Sequence, residues 1–145
     1  MSARFYEQEV KSKLGQKRRV SSFLDALVMR HRPAVKKVQL TYIFCTDDAL
    51  LQMNQQFLDH DTLTDIITFD LSEKETELTG EIYISVDRIT ENAQKFKTDY
   101  QQELHRVIFH GALHLCGFKD KTKKDAAEMR LQEDNCLEAW AAASL

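Results

Sequence analysis

One stretch near the C-terminal end, residues 107–120, constrains the fold and the chemistry of this chain most strongly. It reads VIFHGALHLCGFKD and places His110 and His114 four residues apart. On an α-helix this spacing is about one turn, so both imidazoles project from the same face. The apolar residues around them are typical of a buried helix. The stretch therefore predicts a buried helix with two histidines on one face.

The residues after this helix complete a candidate metal site. Gly117 can take the left-handed conformation that ends a helix, and the chain then brings Asp120 six residues after His114. Two neutral imidazoles and one carboxylate can hold a divalent metal and leave a position open for water, as in catalytic zinc sites. Alternatively, the two histidines are core residues with satisfied hydrogen bonds. The glycine and the acid favour one Zn²⁺ bound by His110, His114 and Asp120.

The residue after the first histidine argues against one kind of metalloenzyme. A zinc protease with an H-E-x-x-H helix has its general base directly after the first histidine. Here that position is Gly111. The chain thus lacks the base that peptide hydrolysis of this type requires.

Three blocks of the sequence resemble the YbeY family, bacterial metal-dependent endoribonucleases that act in ribosomal RNA maturation. The stretch HGALHLCGF at 110–118 is similar to the family signature H-G-x-L-H-L-x-G-[YF]. NQQF at 54–57 with TDIITF at 64–69 resembles the family segments N-x-x-[YF]-R and T-D-V-L-S-F. GEIYIS at 80–85 is similar to the G-D-I-x-I-S strand. The order and spacing of the blocks fit the family as well.

The resemblance implies a specific activity. It implies a single-strand-specific metallo-endoribonuclease that matures the 3′ end of 16S ribosomal RNA and takes part in ribosome quality control. The implied cofactor is one Zn²⁺ per chain, and the implied partner is a ribosomal RNA precursor. Ribosomal proteins and an assembly GTPase are further candidate partners.

Two positions depart from the family pattern. Asp120 stands where the family usually has a third histidine, and Leu58 stands where an arginine usually follows the aromatic residue. Aspartate is a good ligand for zinc and for harder metals, so the first change alters the metal site without abolishing it. Leu58 in place of arginine removes a cation that could bind a phosphate. We therefore predict that the protein cleaves naked RNA only weakly.

Length and composition bound the architecture. The 145 residues fit one domain with a sizeable core, and four Gly and one Pro leave little room for linkers. We expect residues 1–145 to form a single domain. No apolar run approaches the roughly 20 residues of a membrane span, and the start does not resemble a signal peptide, which predicts a cytoplasmic protein without a membrane partner. Three widely spaced cysteines without a C-x-x-C pair predict buried thiols rather than disulfides or metal ligands.

The periodicity of apolar residues predicts an α+β domain with a small mixed β-sheet covered by helices, one of them the buried histidine helix. Strands are predicted at 5–10, 38–45, 65–71 and 80–86. Helices are predicted at 18–31, 48–57, 87–97, from 98–99 through the histidines, and at 123–143. Thr46–Asp47 is the expected N-cap of the second helix, and Asp87 that of the third.

The charges are distributed unevenly. Residues 11–37 hold nine basic side chains and one acid, whereas the remainder holds 11 basic and 22 acidic groups. A basic cluster on an otherwise acidic chain attracts a phosphate backbone. The alternative is a solvated amphipathic helix with a basic polar face. We predict RNA binding by this basic segment, with its main contacts at Arg18, Arg19, Lys36 and Lys37.

Hydrolysis also needs a proton acceptor, and the sequence leaves its identity open. With Gly111 in place of a glutamate, proton removal falls either to the metal hydroxide itself or to another carboxylate, for which Asp65 and Glu103 are the candidates. Asp65 is equally suited to orient a ligand histidine or to bond backbone at the end of a strand. We favour an orienting or structural role for Asp65 and count it with His110 and His114 in the predicted catalytic set.

Three further histidines lie outside the signature stretch, and one of them, His31, belongs to the basic segment. His60 lies between Asp59 and Asp61 and is either an additional ligand or a free surface residue. His105 has polar neighbours and is expected at the surface.

Three functions are compatible with these patterns. The first is a single-metal endoribonuclease acting on ribosomal RNA precursors. The second is a ribosome-assembly factor that binds RNA or a ribosomal protein and whose metal is chiefly structural. The third is a metal-dependent hydrolase of another substrate.

Overall fold

The computed structural model describes residues 1–57 and 64–143. In these ranges the elements follow in the order β1 (Ala3–Glu7), α1 (Lys17–His31), β2 (Lys37–Cys45), α2 (Asp47–Phe57), β3 (Ile66–Asp70), β4 (Glu77–Ser85), α3 (Val86–Lys95), α4 (Tyr100–Leu115) and α5 (Lys123–Ala143). The predicted α+β class and the small mixed sheet covered by helices are confirmed.

The four strands form one sheet in the order β1-β2-β4-β3. β2 is parallel to β1 and to β4, and β3 is antiparallel to β4. Alternate side chains of a strand point to opposite faces. One face carries the fully buried Tyr42 and Phe44 of β2, which join the main core with residues of α1 and α4. On the other face α2 packs its Leu50 against Cys45 and Ile67.

Helix α4 is the buried helix that the histidine stretch predicts. It lies against the sheet, and the Tyr42 hydroxyl of β2 donates a hydrogen bond to the Ile108 carbonyl oxygen at 2.8 Å. Its end has the predicted form, since Gly117 takes a φ of +110°. The Phe118 N–H donates to the Leu113 carbonyl oxygen at 3.1 Å and the Gly117 N–H to that of His114 at 3.0 Å. This pair of bonds is a Schellman motif.

One predicted cap is confirmed and one is wrong. The Thr46 hydroxyl accepts a hydrogen bond from the Ala49 N–H at 3.2 Å, as expected of an N-cap. The N-cap of α3 is Ser85, not Asp87, because the Ser85 hydroxyl accepts the Arg88 N–H at 3.2 Å. Asp87 lies in the first turn of α3, and its carboxylate accepts the Asp47 N–H at 3.0 Å.

None of the helices within the two described ranges has the length and apolar character that crossing a membrane would require.

A close contact between α4 and the sheet sets the position of the histidine helix. A Cβ atom on Gly111 would lie 2.9 Å from Ile82 Cγ2 and 3.0 Å from Ile66 Cδ1. These distances are shorter than side-chain atoms tolerate, so only glycine allows the helix to pack this near to β3 and β4. Gly111 directly follows His110, and the contact therefore fixes the depth of the first histidine over the sheet.

This contact generates a stability prediction. Gly111→Ala should lower the free energy of unfolding by about 1–3 kcal/mol, because overpacking costs more than the gain in helix propensity. Gly15→Ala is the matched control, since a Cβ on Gly15 meets nothing within 4 Å. Denaturant unfolding of the wild type and both variants measures these changes in stability. Equal stability of the two variants would contradict the close packing of α4.

Candidate functional site

A cleft of about 800 Å³ opens between α4, the start of β3 and α5. It brings together the main predicted site residues: both motif histidines, Asp65 and Asp120 line it. Asp65 precedes β3, and its carbonyl oxygen accepts the Ser85 N–H at 3.0 Å. The cleft is therefore built where the histidine helix meets the edge strand β3 and the turn that follows α4.

His110 is the most firmly held member of the site. Its Nδ1 lies 2.7 Å from Oε2 of Glu133, and its Nε2 lies 3.4 Å from Oδ2 of Asp120. An ionised carboxylate only accepts hydrogen bonds, so the short contact places the imidazole proton on Nδ1. In the neutral ring Nε2 then keeps a free lone pair, which faces Asp120. A metal-binding histidine commonly has this arrangement, with one ring nitrogen held by a carboxylate and the other left to coordinate.

Glu133 is held from its other side by a buried arginine. Arg106 Nη1 donates to Oε1 of Glu133 at 3.1 Å and also lies 3.0 Å from Oδ1 of Asp134. The Arg106 Nε is buried without a hydrogen-bond partner among the described residues and lies 3.8 Å from Oε1 of Glu103. The side chains of Arg106 and Glu133 are only 10% and 7% exposed. The positive charge of Arg106 and the negative charge of Glu133 thus compensate each other, since either one would be costly to bury alone.

The electrostatic field of the cleft acts on His110 and Asp65 in different ways. Burial by itself would lower the pKa of His110, but the hydrogen bond to Glu133 and the charges of Glu133, Asp65 and Asp120 raise it above its usual value. Burial raises the pKa of Asp65, while the nearby His110 acts in the opposite direction. The two groups therefore interact across the cleft, and Asp65 is more basic than an ordinary aspartate.

His114 lies one turn beyond His110 on the same face, as predicted. The two rings are nearly parallel, with 3° between their planes and 6.4 Å between their centroids. Its side chain is exposed. Within residues 1–57 and 64–143 no three His, Cys, Asp or Glu side chains converge closely enough to enclose a metal ion. The structure thus brings His110 and Asp120 together and leaves His114 beside them.

The second candidate for proton acceptor, Glu103, is engaged elsewhere. Its Oε1 accepts a hydrogen bond from the Thr98 hydroxyl at 3.1 Å, and the side chain is buried. Glu103 lines the back of the cleft but serves to hold the start of α4 and to balance Arg106. Two positions discussed from the sequence, Leu58 and His60, lie outside the described residues.

The expectation of a surface position for His105 is wrong. Its ring stacks on Phe109 and contacts Trp140, with centroid distances of 6.0 and 4.8 Å. Burial lowers its pKa. Trp140 belongs to α5, which covers this side of α4. Cys116 is partly buried against the main core, and burial raises its pKa to about 11, which suits a thiol rather than a metal ligand.

The four predicted RNA contacts do not share one environment. Arg18 and Lys37 line a groove of about 750 Å³ between α1 and the sheet, together with Arg4 and the acids Asp25 and Glu81. We call this the cationic groove. Lys36 is exposed nearby. Arg19 instead lies over the Trp140 ring, with its Cζ 3.6 Å from the centroid, and donates to the Trp140 carbonyl oxygen. Its guanidinium therefore serves packing between α1 and α5.

Glu133 and Arg106 are the site residues that sequence reasoning missed. A signal for Glu133 existed: it occupies the buried face of α5 in helical register with Met129, Cys136 and Trp140. An acid within an apolar stripe indicates a buried charge that needs a partner. Arg106 lies one turn before His110 on α4, where the sequence also places it on the histidine face.

Comparison with known proteins agrees with this geometry. The family model described as Endoribonuclease YbeY matches residues 5–141. A protein of Cytophaga hutchinsonii called Endoribonuclease YbeY is 44% identical over 133 residues, which cover 92% of each chain. One of the same name from Porphyromonas gingivalis is 45% identical over 133 residues, or 92% of this chain and 86% of the relative. The solution structure of a Thermotoga maritima protein is similar with a TM-score of 0.64 at 29% identity, covering 97% of this chain and 93% of that one.

Proposed function

The chain belongs to the YbeY endoribonuclease family, and we propose that it is a metal-dependent endoribonuclease that cuts single-stranded RNA in ribosomal RNA precursors. The observation that carries the proposal is the His110 imidazole, held at Nδ1 by Glu133 and facing Asp120 with Nε2. Curated relatives called endoribonucleases support RNA as the substrate class. The 3′ end of 16S ribosomal RNA as the cleavage site belongs to the proposal, as do cytoplasmic location and ribosomal partners.

The donor set fits one divalent metal, which we propose to be Zn²⁺. Imidazole nitrogen and carboxylate oxygen are ordinary zinc ligands. His110 Nε2 and Asp120 Oδ2 lie 3.4 Å apart, and the exposed His114 side chain lies beside them on the same face of α4. A metal bound there would supply a Lewis acid and would lower the pKa of a bound water toward neutrality. Three protein ligands would leave a position open for that water.

The remaining chemistry belongs to the protein side chains. In the neutral His110 ring Glu133 keeps the proton on Nδ1, so that the lone pair of Nε2 is available to a metal. Asp65 faces the same cleft, and the raised pKa of its carboxyl makes it a better proton acceptor than an ordinary aspartate. We assign it the removal of a proton from the attacking water. Lys121 and Arg130 also line the cleft and supply positive charge for phosphates.

The cationic groove supplies a second, sequence-independent contact with RNA. Arg18 and Lys37 line it, and Lys36 lies next to it, so three of the four predicted basic residues are available for phosphates. Among the described residues the groove and the cleft have no lining residue in common. A long RNA can therefore be bound at the groove and cut at the cleft.

The function is tested by metal analysis together with an RNA cleavage time course. Protein purified without added metal should contain about one zinc per chain, and the His110→Ala, His114→Ala double variant should contain almost none. His31→Ala is the matched control, because His31 packs on Phe118 and does not line the cleft. Wild type and control should cleave single-stranded RNA, and chelator or the double substitution should abolish cleavage.

Two results would contradict the proposal in different ways. Equal zinc content in the double variant and the wild type would place the metal elsewhere. Metal binding and RNA binding without cleavage by any protein would favour the ribosome-assembly factor with a structural metal.

The groove generates a prediction about salt. Arg18→Glu with Lys37→Glu should weaken binding of single-stranded RNA and flatten its dependence on salt, by about 0.7 in the log–log slope for each phosphate that is no longer neutralised. Lys123→Glu with Lys124→Glu makes the same change of net charge on exposed residues that line neither groove nor cleft. Fluorescence anisotropy at several salt concentrations measures both pairs. Identical slopes for the two pairs would mean that the groove is only a solvated face.

A further inference from the structure

An exposed aromatic ring stands in the lining of the catalytic cleft. Phe96 is the residue that follows α3, and 55% of its surface is exposed to solvent. It lines the cleft together with Asn92, His110 and His114. Within the described part of the chain, Phe96 does not belong to the residues that pack against either hydrophobic core. The ring is therefore accessible to a ligand bound in the cleft.

The backbone around Phe96 is fixed. The Phe96 N–H donates to the Asn92 carbonyl oxygen at 2.9 Å, and the Thr98 N–H donates to that of Ala93 at 2.9 Å. Between them Lys97 takes the left-handed conformation, with φ of +54°, which turns the chain sharply from α3 toward α4. A non-glycine residue in this conformation is uncommon and is held by its surroundings. The ring is therefore presented from a rigid corner.

The surroundings of the ring suit a nucleotide better than an apolar ligand. The Lys95 ammonium lies 5.5 Å from the centroid of the Phe96 ring. Lys121 and Arg130 line the same cleft. Aromatic rings with cations beside them bind single-stranded nucleic acids, because a base stacks on the ring while its phosphates pair with the cations.

We propose that Phe96 stacks an unpaired nucleobase of the RNA next to the phosphate that is cut. This inference rests on the proposed function and names the feature of the substrate that the cleft recognises. Bases in a duplex are already stacked on their neighbours and are not available to Phe96. The ring therefore makes the cleft selective for an unpaired nucleotide, and it does so without contacting the reacting atoms.

The experiment measures stacking separately from cleavage. A short single-stranded RNA oligonucleotide carrying one 2-aminopurine is titrated with zinc-loaded protein, with a nonhydrolysable linkage at the cleavage site. Binding should quench the fluorescence of this base in the wild type. Phe96→Ala should remove the quenching and weaken binding roughly tenfold to a hundredfold. Phe96→Trp should restore both, since it replaces one stacking ring by another.

Tyr6→Ala provides the matched control. Tyr6 is also an exposed aromatic residue, 49% exposed, but it lies on β1 and does not line the cleft. This variant should bind and quench like the wild type. Unchanged binding by Phe96→Ala, an equal loss in Tyr6→Ala, or failure of Phe96→Trp to restore quenching would each overturn the inference.

Cleavage of the ordinary RNA by the same variants separates this inference from the proposed function. Phe96→Ala should raise KM for single-stranded RNA and change kcat little, because the ring holds the substrate and takes no part in the chemistry. If no variant cleaves RNA while quenching still depends on Phe96, then the stacking contact stands and the nuclease proposal fails.

Discussion

The candidate site depends on one buried carboxylate, that of Glu133. Its two oxygens are used in two directions, toward Nη1 of Arg106 at 3.1 Å and toward Nδ1 of His110 at 2.7 Å. A buried carboxylate is costly unless it is paired and hydrogen-bonded, and here both conditions are met. Arg106 holds the Glu133 carboxylate in place, and this carboxylate in turn orients the His110 imidazole. The direction of the His110 Nε2 lone pair therefore follows from an ion pair between α4 and α5.

The packing of α4 on the sheet determines how far the His110 imidazole lies from the strands. Because Gly111 has no side chain, α4 packs so close to β3 and β4 that a Cβ atom at this position would collide with Ile82 and Ile66. The same position in an H-E-x-x-H helix carries the general base. A glutamate at this position would not fit against the sheet, so the proton acceptor that we propose comes from another element. Asp65, at the start of β3, is available in the same cleft.

The fold was largely predictable, and the site only in part. Apolar periodicity located the strands and helices, because each buries one regular face. The proximity of His110 and Asp120 could be predicted because the Gly117 turn leads the chain back past the end of α4, and the helix period places His114 on the same face as His110. Glu133 could not be linked to His110 in this way, since their contact depends on how α5 crosses α4. The surface position expected for His105 was wrong for the same reason, because the ring is covered by Trp140 of α5 and not by its neighbours in sequence.

The central claim is that Glu133 determines which nitrogen of His110 carries the proton. Long-range ¹H–¹⁵N correlation spectra of the metal-free protein, recorded where the imidazole is neutral, report this directly. The account predicts a protonated Nδ1 and an unprotonated Nε2 in the wild type and in Asp134→Asn, which changes the more exposed partner of Arg106. Glu133→Ala should lose this preference. A proton on Nε2 in the wild type, or the same tautomer after removal of Glu133, would contradict the account.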